Sequence, residues 1–320
     1  ALQALAGELA QGQRVPSNPL EMVGRAFTSS DLPLLLTDSS RRSLAQGYEE
    51  SAEDWREWCG VGSLSDFKPT SLVRLGAFGD LDEIPEGGEY EAGRIEEEAE
   101  KVQIAKFGKR FLITREAVIN DDLGALTEIP ANMGRAAART VAHLPYAVLT
   151  ANSAMADNLP LFHVSHGNIG TAGPISVTTL AEVERMMALQ KGPGGHEIGL
   201  NIAPQFILAP VAIKAPTETF FATTDMVSIA ADSKQKIEKN IYAGKYTRIY
   251  NPRLDADSPK AWYMAGRKGS FVSVYFLFGN QTPWLETRNG WSVDGVEHKV
   301  RIEAAAKALD YRTGFLNGGE

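Results

Sequence analysis

Residues 67–114 read FKPTSLVRLGAFGDLDEIPEGGEYEAGRIEEEAEKVQIAKFGKRFLIT. The stretch predicts two strand-prone arms around a turn at Pro85-Glu86-Gly87-Gly88. Proline pre-sets one turn torsion, and adjacent glycines supply the positive φ of a tight reversal. Apolar residues are sparse in both arms, and Glu96, Glu97, Glu98 and Glu100 crowd the return arm. An arm of about 18 extended residues at about 3.3 Å each reaches roughly 60 Å. A compact chain of this length has a radius of only about 20 Å, and a two-stranded ribbon alone is marginal in water. Either the hairpin is floppy or it lies on a neighbouring subunit, and the second reading is the one tested along the chain.

The remainder of the chain bounds what such a subunit is. Its 320 residues suffice for two domains, or for one large domain with excursions. A hydrophobic content of 43% with 22% charged residues excludes a disordered chain. The single cysteine, Cys59, excludes an intrachain disulfide framework and a cysteine-built zinc site, and fits a reducing cytoplasm. No run of 18 apolar residues predicts a membrane-spanning helix. A net charge of −8 argues against a dedicated high-affinity nucleic-acid binder. It leaves room for a container, whose wall need not grip its contents. The chain starts at Ala1 without the charged and apolar regions of a signal peptide. That start is either a chosen boundary or a processed end, and a processed end would suit a protein matured by proteolysis.

Taken in order, residues 1–13 predict a short helix with Leu2, Leu5, Ala6 and Leu9 on one face. Pro16 and Pro19 break it. Leu34, Leu35, Leu44 and Tyr48 repeat at helical spacing, and Trp55 and Trp58 read as exposed aromatics in an acidic setting. The first 65 or so residues have no self-sufficient pattern, which predicts an arm packed on something else. Thr114 opens a short helix. The long helix of the chain follows at about 125–152, with Ile129, Met133, Ala136, Ala137, Val141, Leu144 and Val148 on the 3.6-residue period. It would be roughly 40 Å long, and Pro145 is expected to kink it or end its regular part.

Residues 160–173 predict a glycine-rich loop, and Ser176 starts a helix that stops at the Gly192–Gly195 run. Strands are expected at 204–210, 247–250, 261–265, 271–278 and 283–287, a helix at 211–223, and a polar loop at 224–245. The pattern from 176 to 283 is mixed α/β. In the last element, Val296, His298, Val300 and Ile302 alternate with Glu297, Lys299, Arg301 and Glu303. That period of two predicts a strand, although EAAAKAL favours helix by propensity.

Candidate chemistry is thin. His163-x-x-His166 has the spacing of a metal pair, but Asp157 is the nearest acid and zinc needs three or four placed ligands. Glu96–Glu100 lacks the Asp/Gly spacing of a calcium loop. Gly192–Gly195 follows a helix rather than preceding one, so it is no phosphate cradle. Ser63 lies in no Gly-x-Ser-x-Gly turn, and Cys59 has no histidine near it in sequence. The expectation is no catalytic, metal-binding or cofactor-binding residue.

The blocks PLFHVSHGNIGTAG, LQKGPGG, LNIAPQFILAP, NPRLDADSPKAWYMAG and WLETRNGWSVDGVEHKVRIEAAAKALDYRTGFLNGG, preceded by AFTSSDLPLLL, LAQGY and SDFKP, are similar to the major capsid (major head) proteins of tailed bacteriophages. The likeness is greatest to Mu-like head subunits and covers nearly the whole chain. It implies an α+β chain with the Hong Kong 97 capsid fold. On that fold, residues 1–66 form an N-terminal arm and 67–112 the extended E-loop hairpin. Residues 113–175 and 284–312 form a peripheral domain with a long spine helix, and 176–283 with 313–320 an axial domain.

Some relatives join subunits through a Lys–Asn isopeptide bond assisted by a buried Glu. Lys101, Lys106 and Lys109 lie near the hairpin and Glu303 on the last strand, but no Asn lies between Gly290 and Leu316. Non-covalent contacts are therefore expected. They pair the acidic edge Glu96, Glu97, Glu98 and Glu100 with a basic patch drawn from Arg110, Arg115, Arg135 and Arg139.

The function implied is a non-enzymatic head subunit in the virion. It forms pentamers and hexamers around double-stranded DNA without sequence specificity, and is assembled in the host bacterial cytoplasm. Its implied partners are a portal, decoration proteins and a prohead protease, with no membrane and no cofactor. Two readings compete: an encapsulin-like compartment of the same fold, and a soluble enzyme using the histidine loop.

Overall fold

The computed structural model describes residues 31–51, 53–75, 97–114, 123–192, 199–229, 235–289 and 295–319. The helix expected at 1–13, the turn at 85–88 and the helix after Thr114 lie outside them. In chain order the elements are α1 (Asp31–Glu49), α2 (Trp55–Trp58), β1 (Gly60–Leu64), β2 (Thr70–Leu75), β3 (Glu97–Val102), β4 (Ala105–Thr114) and α3 (Leu123–Ala151). There follow α4 (Val177–Ala188), β5 (Phe206–Ala209), α5 (Lys214–Ala222), β6 (Asp225–Ile229), β7 (Gln235–Lys239), β8 (Thr247–Tyr250) and α6 (Pro252–Asp255). The chain closes with β9 (Trp262–Ala265), β10 (Val272–Leu277), β11 (Trp284–Asn289), β12 (Gly295–Ala308) and β13 (Gly314–Asn317). It divides into two compact units. The first is Ala1–Glu53, Ala105–Val141 and Asn280–Ala304; the second is Asp54–Ile104, Ala142–Gly279 and Ala305–Glu320.

In the first unit β12 is central, running antiparallel to both β11 and β4. Val296, His298, Val300 and Ile302 are buried, so the alternation in the sequence is the alternation of a half-buried strand. On the other face, Glu286 takes Lys299 and lies 3.1 Å from Arg301, and Arg288 lies 2.8 Å from Glu297. Exposed pairs of this kind fix register more than they add stability. The helix pair α1 and α3 meets at two glycines. A Cβ on Gly134 would lie 2.2 Å from the Leu44 carbonyl oxygen, and one on Gly47 2.2 Å from that of Ala131. Each glycine costs its helix about 1 kcal/mol relative to Ala; the close backbone approach is what it permits.

In the second unit a four-stranded sheet runs in the order β13-β9-β5-β8. Ile207, Ala209, Trp262, Met264 and Phe315 pack there with Leu180, Val183 and Met187 of α4. Each large side chain so buried contributes about 1.5–3 kcal/mol of transfer free energy. A capping box sets the start of α4: Thr179 N–H donates to Ser176 Oγ, and Ser176 N–H to Thr179 Oγ1. The β1 strand pairs parallel to β10, so β10 does not join the four-stranded sheet with its sequence neighbours.

Several elements differ from expectation for identifiable reasons. Trp55 and Trp58 are not exposed; both are buried, beside Phe276 and Tyr146 respectively. The acid next to them, Asp54, is what turns them inward. Its carboxylate accepts the Tyr146 hydroxyl at 2.7 Å and the Asn251 side-chain amide at 2.9 and 3.0 Å. The polar stretch 224–245 is not a loop but contains the β6–β7 hairpin. Strands paired only with each other need no buried face, so they leave no apolar period in the sequence. The α3 helix continues six residues past Pro145. The final strand ends at Ala308, and a turn at Tyr311–Thr313 precedes β13. Asp310 makes that break by accepting the Arg312 N–H at 3.0 Å. Ala304 and Ala305 lie in β12 despite their helical propensity, because sheet burial outweighs it.

Candidate interaction surface

The β4 strand is the exposed part of the first unit that stands out chemically. Its register with β12 puts Phe107, Lys109 and Phe111 opposite Ile302, Val300 and His298, hence on the face that carries the buried residues of β12. Lys106 and Arg110 fall on the other face, opposite Glu303 and Lys299. Among the described residues β4 pairs only with β12, so its outer edge has no strand. Lys106, Lys109 and Arg110 are exposed and have no ion-pair partner among the described residues. Three cations within five residues form a local positive field on a chain whose net charge is −8.

Beneath this edge is a cavity of about 400 Å³. Met133, Ala136, Ala137 and Thr140 of α3 line one side of it, and Phe107, Val300 and Ile302 of the sheet the other, while Lys106 and Lys109 also border it. An apolar hollow next to unpaired ammonium groups suits an apolar side chain carried between carboxylates.

The eight residues expected at inter-subunit contacts do not assemble as one patch. Glu96 and Arg115 lie outside the described residues. Glu97 and Glu98 belong to β3, paired with Leu75 and Arg74; their side chains lie outside the description. The expectation of an exposed acidic edge fails for Glu100, which is buried inside its own chain. It accepts the Ala156 N–H at 2.9 Å and lies 3.3 Å from Lys307 Nζ. Arg135 is half-buried, donates to Asn132 at 2.9 Å and lies 4.0 Å from Glu50. Arg139 and Arg110 are exposed. Lys106 and Lys109 are missing from the expected patch, although the K-F-G-K-R spacing of an edge strand already carried the signal.

The histidine loop has a structural explanation. His166 is buried, its Nε2 lies 2.6 Å from Asp157 Oδ2, and its ring stacks on Tyr311 at 3.9 Å. His163 caps the following turn by accepting the Ser165 N–H. Among the described residues no group of three His, Cys, Asp or Glu side chains is placed to hold a metal ion. Cys59 is buried, and burial pushes its thiol well above the ordinary range, with Asp54 adding to the shift. That is the opposite of an activated nucleophile. No helix among the described residues is long and apolar enough to cross a membrane.

A family model described as phage capsid protein matches residues 97–317. Among solved structures, the chain is similar to the capsid structure of the cyanophage P-SCSP1u, with 12% identity over 84% of this chain and 88% of that one and a TM-score of 0.55. It is also similar to a structure from Mycobacterium phage Adephagia, with 12% identity over 84% and 91% and a TM-score of 0.52. A third, from Mycobacterium phage Bobi, has 11% identity over 84% and 92% and a TM-score of 0.51. At such identities the likeness concerns the fold alone. No curated protein sequence matches the chain.

Proposed function

We propose that this chain, which belongs to the phage capsid protein family, is a major capsid protein of a tailed phage with a Hong Kong 97-like fold and closes the head wall by laying its own hairpin on the next copy. The observation that carries this reading is the pairing of opposites within one sequence. Glu96, Glu97 and Glu98 form an acidic run, while Lys106, Lys109 and Arg110 are cations on an exposed strand edge without partners among the described residues. In a closed shell of identical subunits, each copy donates the first surface and receives on the second.

The division of labour follows the family fold. The β2–β3 hairpin, ending at Val102 and not at the expected 112 because β4 pairs with β12, is the E-loop, α3 the spine helix, and the β13-β9-β5-β8 layer the heart of an axial domain that gathers copies into pentamers and hexamers. The N-terminal arm runs to about Glu53, because Asp54 and the tryptophans after it belong to the second unit. The subunit acts by contact and not by catalysis, within the virion, after assembly in the host bacterial cytoplasm. A portal, decoration proteins and a prohead protease complete its partners, and the enclosed double-stranded DNA is held without sequence preference. The join between subunits is non-covalent. Asn317, the asparagine just past the final stretch, is buried and occupied by the Gly173 and Gly319 N–H groups and the Thr171 carbonyl.

Reversing Glu97→Lys together with Glu98→Lys tests the pairing. A loss of particles by sedimentation and negative-stain microscopy, with the subunit still folded, is the expected result. A normal particle yield would refute it.

A further inference from the structure

We infer that His166 is a proton-operated latch on the segment after α3: the doubly protonated ring holds that segment closed beside the base of β3, and loss of one ring proton releases it. Every group involved belongs to the second unit of one chain, so the inference goes beyond the reading of assembly and does not depend on it.

The His166 ring is buried and lies between two acceptors. Its Nε2 is 2.6 Å from Asp157 Oδ2, and its Nδ1 is 3.1 Å from the Leu161 carbonyl oxygen. A neutral imidazole has one N–H and one lone pair, so it satisfies one of these contacts and turns the lone pair toward the other oxygen. The doubly protonated ring donates to both. Asp157 is matched to that state. Desolvation works against its charge, yet the His166 hydrogen bond and the Leu159 N–H hold its carboxyl below the ordinary range. A hydrogen bond between two ionised groups is also about twice as strong as a neutral one.

The groups around the ring decide what the latch holds. Asn168 donates to the same Leu161 carbonyl at 2.8 Å, and Gln190, just past α4, donates to the His166 carbonyl at 2.9 Å. Tyr311, in the turn before β13, stacks on the ring at 3.9 Å, and the Arg312 guanidinium lies 4.5 Å from the same tyrosine ring. Arg312 is a like charge; Asp310, 3.3 Å from it, offsets that charge. His163 is the other titratable group of the loop, its ring centre 6.1 Å away. Beyond Asp157, the Ala156 N–H donates to Glu100 of β3, and Lys307 of β12 donates to the Ala154 carbonyl at 3.5 Å. Residues 154–157 are thus pinned by His166 at one end and by the Glu100–Lys307 pair at the other. Freeing Asp157 loosens the seat of Glu100, and with it the base of β3.

The contact is complete at low pH and is lost as the pH rises through the histidine range. A histidine buried in its neutral form, such as His298, acts with the opposite sign, so the latch is read locally and not from the global unfolding midpoint.

Hydrogen exchange of the full-length, unassembled subunit at about pH 5.5 and about pH 8.5, on either side of that range, tests the latch once rates are corrected for the intrinsic pH dependence of amide exchange. The amides of residues 154–166 and of β3 should exchange about tenfold faster at the higher pH, the loss expected of one hydrogen bond to a charged group. Equal corrected rates would overturn the latch. Nitrogen NMR of the histidine-labelled subunit should show two ring N–H groups on His166 at the lower pH and one at the higher. A single N–H at the lower pH would overturn it too.

His166→Gln should abolish the pH dependence of those amides, and a persisting dependence would assign it to another group. Asp157→Asn covers the case in which that variant fails to fold, because Asp157 is part-exposed and the amide keeps an acceptor while losing the charge. Its rise in exchange should begin at lower pH; an unshifted profile would contradict the role given to the carboxylate. All of these measurements precede assembly, so a failed latch leaves the hairpin reading standing, and a failed charge reversal at Glu97 and Glu98 leaves the latch standing.

Discussion

Glu100 and Lys307 meet at 3.3 Å inside the second unit, and the Ala156 N–H donates to the other oxygen of the same carboxylate. A residue that reads in sequence as part of a solvated acidic run is thus an internal tie between β3, the end of β12 and the turn after α3. Removing one partner of a fully buried pair costs about 3–5 kcal/mol. Because Lys307 keeps some contact with water, Glu100→Ala should cost about 2 kcal/mol, by the same reasoning. Glu100→Gln, which keeps an acceptor for Ala156, should cost less. Urea unfolding of the unassembled subunit measures both, and equal midpoints for Glu100→Ala and the parent would remove the tie from the account.

A helix glycine and a turn glycine give a sharper contrast. Gly134→Ala places a methyl 2.2 Å from a backbone oxygen, so α1 and α3 must separate; overpacking of this kind costs about 1–3 kcal/mol. Gly244→Ala meets nothing within 4 Å and is strained only by its φ of +69°, which costs about 1 kcal/mol. Thermal melts of the two variants should therefore rank Gly134→Ala as the less stable. The reverse order would show that the helices are not in backbone contact.

His298 predicts a pH dependence of stability. It is buried in β12, beside Thr287 Oγ1 at 3.2 Å, and burial holds its pKa below the ordinary value of 6.5. The unfolded chain therefore takes up a proton near pH 6.5 that the folded chain refuses until lower pH. Stability from this residue is present in full above that value and falls as the pH drops through it toward the folded pKa. Denaturation midpoints should decline between about pH 7 and pH 5.5, and His298→Leu should flatten the decline. An unchanged slope in the variant would assign the decline to other groups.

If the hairpin and the β4 edge attract through charge, reversing either side alone should impair assembly, and reversing both should restore part of it. Lys106→Glu with Lys109→Glu is the partner to the Glu97 and Glu98 reversal. Exposed pairs contribute about 0.2–1 kcal/mol each, so the single-sided losses should be modest per contact and multiplied by the number of contacts in a shell. Light scattering of assembly at low and high salt follows this, because screening acts on exposed charges. No rescue in the combined variant would mean that the two surfaces do not meet.

The parts of the fold legible in the sequence are those whose packing leaves a period. The α3 helix, expected at about 125–152 and observed at Leu123–Ala151, buries one stripe along its length, and β12 buries every second residue over its first half. The β6–β7 ribbon pairs only with itself among the described residues, and a pairing of that kind leaves no apolar period to read. Trp55 and Trp58 misled because the burial of a short helix is decided by distant partners, Tyr146 and Asn251, that meet Asp54 only in the fold. Glu100 shows the same limit for the surface, since its partner Lys307 is 207 positions away along the chain. The cations of β4 were visible as letters, but that they lack ion-pair partners among the described residues is a property of the folded sheet alone.

Electron microscopy of particles assembled from the full-length chain tests the central claim most directly. The account predicts closed shells of pentamers and hexamers in which the β2–β3 hairpin of each subunit, residues 70–102, lies across β4 and α3 of an adjacent one. Open sheets or free subunits, or shells in which each hairpin folds back on its own subunit, would contradict it.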